Sequence, residues 1–252
     1  MKKFQRYNEI MNRLHTFKHV SVKDLSDAFF VSEETIRRDL EQLEKDGLLK
    51  RKHGGAMLLN EVDYPLAYRS SRNIDKKHDI AQKSLPLFND VYSIMADSSS
   101  TVLELIKLLA IQEHKYKIIS NSINMLYELS STPIDFISTG GMLKPDSVTL
   151  VGSQAIKTIE NYYTDVTVLS CHTLSINGAS VNGELEGFTK REMVKQGKVV
   201  ILLVDSTKFT FNNDALFKFA SFHEIDYLVC DSEIPEEYEE VLTKHHVTVI
   251  TK

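Results

Sequence analysis

Tyr7, Ile10, Met11, Leu14 and Phe17 recur every three or four residues, the spacing that lines one face of a helix. After a break at His19-Val20, the run Ser21-Val22-Lys23-Asp24 has the form of a capping box, in which a hydroxyl accepts from an orphan backbone N–H and an acidic residue three positions on reaches back. The helix it opens turns Leu25, Ala28 and Phe29 inward. Past a short Phe30-Val31 turn, Ser32 is a second N-cap, with Glu33 and Glu34 at the positive end of the helix dipole. This third helix buries Ile36, Leu40 and Leu43 and stops at Gly47. The pattern then changes period. Apolar Leu48-Leu49, a basic tip, Gly54-Gly55 and apolar Ala56–Leu59 predict a β-hairpin whose glycines supply positive φ in the turn.

Glu61 to Asn73 has no clear period and reads as a connection, so the sequence predicts an N-terminal domain over 1–60, a linker over 61–75 and a second domain over 76–252. A helical pattern over Lys76–Leu87 is followed by continuous apolar runs at Tyr92–Ala96, Lys117–Ser120, Ile134–Ser138, Val166–Cys171, Val199–Val204, Tyr227–Cys230 and Val247–Ile250. Amphipathic helices intervene near Thr101–Leu109, Ile123–Leu129, Ser153–Tyr162, Phe188–Gln196 and Glu236–His245. Strands apolar on both faces, alternating with helices, predict a mostly parallel sheet covered on both sides, an α/β fold.

Charge changes this picture by dividing it. The chain of 252 residues carries a net −5, but residues 1–60 hold 12 Lys and Arg against 9 Asp and Glu, while residues 61–252 hold 18 against 26. A basic head on an acidic body suggests that one end meets a polyanion. No apolar stretch is long enough to span a bilayer, and the first residues lack the apolar core of a signal peptide, so a cytoplasmic protein without membrane contact is expected. Only Cys171 and Cys230 occur, both in apolar runs, which suits a reducing compartment. The Cys171-His172 pair has no second Cys/His cluster at metal-ligand spacing, so no metal and no cofactor is expected.

Two short helices joined by a tight turn, with a bracing helix before them, form a helix-turn-helix. With Ile36, Leu40 and Leu43 inward, the third helix shows Glu34, Arg38 and Glu41 outward, flanked by Thr35 and Arg37. Arg on such a face reaches guanine edges, and Thr35 reaches a thymine methyl or a phosphate. The competing reading makes Glu34–Arg38 and Arg37–Glu41 ordinary surface pairs. The hairpin favours DNA: Lys50, Arg51, Lys52, His53 and Gly54 make a basic wing suited to phosphates or the minor groove.

The loops after the predicted strands carry the second set of candidates, because ligands of parallel sheets sit at the carboxyl ends of the strands. The first strand ends in Asp97-Ser98-Ser99-Ser100-Thr101, whose four hydroxyls open a helix and suit a phosphate. Asn121-Ser122, Gly140-Gly141 and Asp205-Ser206-Thr207-Lys208 follow later strands. Singly, each is as well explained as a cap, a turn or a surface lysine; their common position after successive strands is what points to a pocket.

The string Val31-Ser32-Glu33-Glu34-Thr35-Ile36-Arg37-Arg38-Asp39-Leu40, with Gly47-Leu48-Leu49 and Arg51-Lys52-His53-Gly54-Gly55-Ala56, resembles the DNA-binding domain of the DeoR family of bacterial sugar-metabolism regulators across residues 3–57. The resemblance continues through Asp97–Thr101, Ser120-Asn121-Ser122, Gly140-Gly141, Glu186 with Lys190, and Asp205–Phe209. It implies a winged helix-turn-helix followed by a sensor domain similar to sugar-phosphate isomerases. It further implies that the hydroxyl loop holds a phosphate while Asp97, Glu186, Lys190, Asp205 and Lys208 face the sugar. Two departures stand out: Ser99 replaces a loop glycine, and Ser170-Cys171-His172-Thr173 puts bulk where the family has a small, glycine-containing stretch.

The resulting expectation is a repressor of a carbohydrate operon, a homodimer or homotetramer that binds double-stranded operator DNA and is controlled by a phosphorylated sugar. An isomerase-like enzyme with a DNA-binding appendage is the alternative, with Asp97, Asp205 or Glu186 as base and Lys190 or Lys208 stabilising an enediolate. A DNA-architectural protein with no ligand accounts poorly for the pocket-like loops.

Overall fold

The computed structural model describes residues 3–58, 66–210 and 215–252, and divides into two compact units, Met1–Arg69 and Ser70–Lys252. The predicted linker at 61–75 lies partly outside the described residues; its described part is helical.

The first unit contains helices α1 (Lys3–Phe17), α2 (Val22–Phe29) and α3 (Glu33–Lys45) and strands β1 (His19–Ser21), β2 (Leu49–Lys52) and β3 (Gly55–Leu58). Ile10, Met11, Leu14, Leu25, Phe29, Ile36, Leu40 and Leu43 form its core, as the periodicity requires. Phe17 is the exception: at the last turn of α1 it is 68% exposed, beyond the reach of that core. Ser21 caps α2 by accepting from Asp24 N at 3.0 Å, and Ser32 caps α3 by accepting from Thr35 N at 3.2 Å. The break at His19-Val20 is itself a strand: β1 pairs with β3, giving the order β1-β3-β2. That pairing corrects the role of the Gly-Gly turn. Gly54 (φ 75°) does supply positive φ. Gly55 instead lies in β3, where an added Cβ would stand 2.1 Å from the Val20 carbonyl oxygen, so its glycine is needed for close approach to β1.

Helix α4 (Leu66–Ser71) follows, and its Tyr68 packs against the same core.

The second unit begins with α5 (Ile74–Ser84) and continues through β4 (Ser93–Ala96), α6 (Ser100–Ala110), β5 (Lys117–Ser120), α7 (Ile123–Glu128), β6 (Asp135–Ser138), β7 (Met142–Lys144), β8 (Thr149–Val151), α8 (Ser153–Ile159), β9 (Thr164–Ser170), β10 (Thr173–Ser175), β11 (Gly178–Val181), α9 (Glu184–Gln196), β12 (Gly197–Val204), β13 (Phe217–Ala220), β14 (Tyr227–Cys230), α10 (Glu236–Lys244) and β15 (Thr248–Ile250). Among the described residues, seven strands make one fully parallel sheet, ordered β15-β14-β12-β9-β4-β5-β6. These are the seven strands expected from the apolar runs. Their side chains alternate between two cores: along β12, Ile201 and Leu203 face one, and Val200, Leu202 and Val204 face the other.

The chain runs outward from β4 through β5 to β6, then returns to lay β9 beside β4 and continues the other way. The strand order therefore reverses between β4 and β9, the point at which parallel sheets open a ligand crevice. The hairpin β7–β8 and the antiparallel sheet β10-β11-β13 are additions that the periodicity did not predict.

Candidate DNA-binding and effector sites

Helix α3 presents its polar face through short exposed pairs. Arg38 Nε donates to Glu34 Oε1 at 3.0 Å, one of the expected pairs. Arg37 does not pair with Glu41, as expected, but with Glu33 at 2.6 Å, because Glu41 is taken by Lys45 at 2.9 Å. Thr35 Oγ1 shares a 2.9 Å hydrogen bond with the Ser32 hydroxyl, which ties both polar side chains to the start of the helix.

Arg51 of the wing is fixed to α3. Its backbone N donates to Glu44 Oε1 at 2.8 Å and its Nε to Glu44 Oε2 at 2.7 Å. These two bonds hold the Glu44 carboxyl below its ordinary pKa. Arg37, Glu44, Arg51, Lys52 and His53 line a groove between helix and wing. Lys50 stands on β2 at the exposed side of the hairpin, and Gly54 closes its turn. Glu44 was not a sequence candidate, since its partner lies across a helix-to-hairpin junction that no local period reveals. Nor was the buried pair Arg6–Asp39, in which Arg6 Nε donates to Asp39 Oδ2 at 2.6 Å and pins α1 to α3.

In the second unit the strand reversal is bridged by one carboxylate. Asp97, wholly buried after β4, accepts from Ser99 N at 2.8 Å through Oδ1 and from Ser170 N, at the end of β9, at 2.9 Å through Oδ2. Lys190 of α9 donates to the same Oδ2 and, at 3.0 Å, to the Ser170 carbonyl. The sequence placed Asp97 and Lys190 at the site, and the structure brings them together as a buried ion pair.

The hydroxyl loop folds as an N-terminus. Ser99 is extended (φ −74°) and caps α6 by accepting from Val102 N at 3.3 Å. The position thus needs no positive φ, and the departure from glycine costs nothing in backbone conformation. Ser100 and Thr101 are buried in the first turn, and Ser98 is half-buried before it.

Asn121 and Ser122 are spent on structure. Asn121 Nδ2 donates to Thr149 Oγ1 at 2.9 Å and to the Leu150 carbonyl at 3.1 Å, holding the β7–β8 hairpin, and Ser122 caps α7. Asn121 Oδ1 is buried with no hydrogen-bond partner among the described residues. Gly140 (φ 62°) and Gly141 (φ 114°) turn the chain into that hairpin, and a Cβ on Gly141 would meet the Val151 carbonyl oxygen at 2.7 Å.

Glu186, one helical turn before Lys190, pairs with Lys144 of the hairpin at 3.4 Å. Lys144 carried no sequence signal, being a lone lysine in a three-residue strand. Asp205 is buried and caps its own loop by accepting from Thr207 N at 3.1 Å, with Lys208 three residues after it. Asp205 and Lys208, with Lys190 and Asp97, stand near enough to Cys171 to act on its thiol. Burial pushes its thiol up to about 12, against the pull of Lys208 and Lys190 and with Asp205 and Asp97 adding to the rise. A buried thiol of that acidity is no nucleophile at neutral pH. His172 N donates to the Ser180 carbonyl at 2.9 Å. Among the described residues there is no group of three or more His, Cys, Asp or Glu suited to a metal, and no helix long and apolar enough to cross a membrane.

Comparison with known proteins agrees with this division. Residues 6–62 match the model of the DeoR-like helix-turn-helix domain, and residues 72–232 match that of the DeoR C terminal sensor domain. The putative aga operon transcriptional repressor of Escherichia coli O157:H7 is 30% identical over 98% of this chain and 93% of its own length. The glycerol-3-phosphate regulon repressor of Escherichia coli K12 is 28% identical over 98% of each chain. Among solved structures, ribose 5-phosphate isomerase A from Neisseria gonorrhoeae aligns with 54% of each chain at 14% identity, with a TM-score of 0.37. Both relatives are named for regulation and not for catalysis, which sets aside the enzyme reading. With a DNA-binding head and a sensor domain each matched over its own compact unit, this chain belongs to the DeoR family of transcriptional regulators.

Proposed function

We propose that the protein represses a carbohydrate-metabolism operon, binding double-stranded operator DNA through α3 and the wing and releasing or tightening it when a phosphorylated sugar occupies the β4/β9 crevice. The observation that carries the sensor half is positional. The Asp97–Thr101 loop, the N-terminus of α6, Lys190 and the Asp205–Lys208 loop all stand at the carboxyl ends of strands around the point where strand order reverses. An α-helix N-terminus with hydroxyls suits a phosphate, and flanking lysines supply countercharge. Asp97 acts from beneath the ligand as a support, because both its carboxylate oxygens already accept from protein donors, and the Asn121 amide nitrogen does the same by holding the β7–β8 hairpin. Ser98, Glu186, Lys190, Asp205 and Lys208 form the ligand-facing set, with Ser99, Ser100, Thr101, Ser122, Gly140 and Gly141 shaping it.

The name of the glycerol-3-phosphate regulon repressor, which contains a small organic phosphate, supports that effector class. In the head, Ser32, Thr35, Arg37 and Arg38 face the major groove, while Lys50, Arg51, Lys52, His53 and Gly54 meet phosphates or the minor groove. Residues 61–75 connect the two, and the acting species is a homodimer or homotetramer that presents two heads to a repeated operator. Calorimetric titration of the full chain with hexose phosphates, glycerol 3-phosphate and the corresponding free sugars tests the sensor half. Binding of one phosphate ester, with its free sugar at least tenfold weaker and Lys208→Ala weakened, is expected; equal binding of ester and free sugar would remove the phosphate site.

A further inference from the structure

The Asp205–Lys208 loop is also tied, through Ser206, to the end of β14. There Ser206 N donates to Asp231 Oδ1 at 2.6 Å and the Ser206 hydroxyl to Asp231 Oδ2 at 3.0 Å. Lys76 of α5 completes the cluster. It donates to the Ser206 hydroxyl and lies 3.2 Å from Asp231 Oδ2. Asp231 follows β14 directly and its side chain is 8% exposed. Burial pushes its pKa up, but the Ser206 N–H, Lys76 and the Ser206 hydroxyl outweigh that and hold it below the usual carboxylate range. A second lysine of the same helix repeats the attachment: Lys83 donates to the Asp231 carbonyl at 3.0 Å and pairs with Asp79 at 2.5 Å. Helix α5 is therefore held by two lysines to the strand-end that also clamps the effector loop.

Position in the chain gives this arrangement its meaning. Helix α5 is the first long element after the connection to the head, and its N-terminal turn contains Lys76. A loop that carries both Asp205 and Lys208, which the proposed function turns toward the ligand, and Ser206, which is bound to Asp231, moves all three when it moves. We propose that Lys76, Asp231 and Ser206 form the relay that couples effector occupancy to the start of α5, with Asp231 positioning the loop and Lys76 reporting its state. The inference rests on the effector reading above. It requires two arrangements of the loop, differing in whether Ser206 shares Lys76 with Asp231.

The test uses the full chain, its own promoter DNA, and a panel of hexose 6-phosphates, glycerol 3-phosphate and inorganic phosphate. Lys76 is more than a third exposed, so Lys76→Met is expected to fold, with Lys76→Arg as the variant that keeps a charged donor. In the parent protein, the active panel member is expected to change DNA affinity at least about fivefold, the lower range of allosteric coupling. In Lys76→Met that change is expected to fall below about twofold, while affinity for the same compound stays within about threefold. Lys76→Arg restores part of the response. Ser206→Ala uncouples in the same way, and combining it with Lys76→Met adds nothing further, a non-additivity that general destabilisation would not produce. A Lys76→Met protein that responds like the parent overturns the relay and leaves the effector reading intact. Loss of compound binding in Lys76→Met also overturns it, by making Lys76 a support of the pocket. A parent protein that responds to no panel member overturns both.

Discussion

Helices α3 and α9 are each 13 residues long and rich in charge, yet they use charge in opposite ways. On α3, Arg37–Glu33, Arg38–Glu34 and Lys45–Glu41 are exposed i,i+4 pairs, each worth a few tenths of a kcal/mol. Such pairs are cheap to exchange, so in the proposed DNA complex a phosphate or a guanine edge displaces Glu33 or Glu34 at little cost. On α9, Lys190 is buried against Asp97 and the Ser170 carbonyl, while Arg191 lies over the Phe217 ring at 4.6 Å. Charges held this way are committed to one geometry. In the proposed function, the operator-facing surface keeps its cations on loan to neighbours, whereas the effector site fixes its own before a ligand arrives.

Four substitutions or conditions break or sharpen that contrast. Asp97→Ala strands the Lys190 ammonium without its partner and opens the bridge between β4 and β9, so denaturant unfolding is expected to lose about 3–5 kcal/mol. A loss under about 1 kcal/mol, the range of surface pairs, would erase the distinction between the helices. Arg38→Ala is expected to cost about 1–3 kcal/mol in specific DNA affinity. Its unfolding free energy should shift by no more than about 0.5 kcal/mol, measured on the same preparation.

Phe30→Gly works on the head in the opposite direction. Phe30 sits in the left-handed region (φ 54°) with 94% of its surface exposed, so glycine relieves backbone strain while giving up almost no burial. A gain of about 1 kcal/mol is expected, seen as a higher melting temperature. The smallest effect concerns acid. Asp165 accepts from Lys198 Nζ at 2.9 Å, from Ser93 N at 3.0 Å and from the Ser93 hydroxyl at 2.9 Å. Lys198 foremost, with these donors, holds it well below the ordinary carboxylate range. A depressed folded pKa means that this group stabilises above its unfolded value, near about 4, and loses that contribution as pH falls through the folded value. Parent protein is therefore expected to lose more stability between pH 7 and pH 3 than Asp165→Asn does.

What the sequence disclosed follows from how far each signal travels along the chain. The seven sheet strands were legible because each is a continuous apolar run buried on both faces. The strand β1 was not, being a three-residue segment whose partner β3 is distant in the chain, nor was the hairpin β7–β8, whose three-residue strands are too short to show a period. Ser21 and Ser32 were read correctly as caps because capping is local chemistry. Gly55 was misread because its close approach to Val20 depends on β1, which has no sequence period of its own. At the candidate site, the loops after β4, β5, β6 and β12 were legible as strand-end loops and Glu186 and Lys190 only through the family resemblance, while the contacts among these residues were not legible. Asn121 turns its amide to Thr149 and Leu150, and Asp97 turns to Ser170 and Lys190, through contacts that span from 28 to 93 positions of chain. Lys144 and the Lys76–Asp231 attachment escaped for the same reason, and Glu44 because its partner Arg51 lies across a helix-to-hairpin junction.

In the proposed function, one chain binds specific DNA and a phosphorylated sugar controls the binding. Equilibrium binding of the purified protein to its own promoter region, at two salt concentrations and with or without the sugar-phosphate panel, tests it most directly. Specific binding that weakens steeply with salt and changes at least about fivefold with one phosphate ester is expected. Absence of sequence-specific binding at either salt concentration would contradict it.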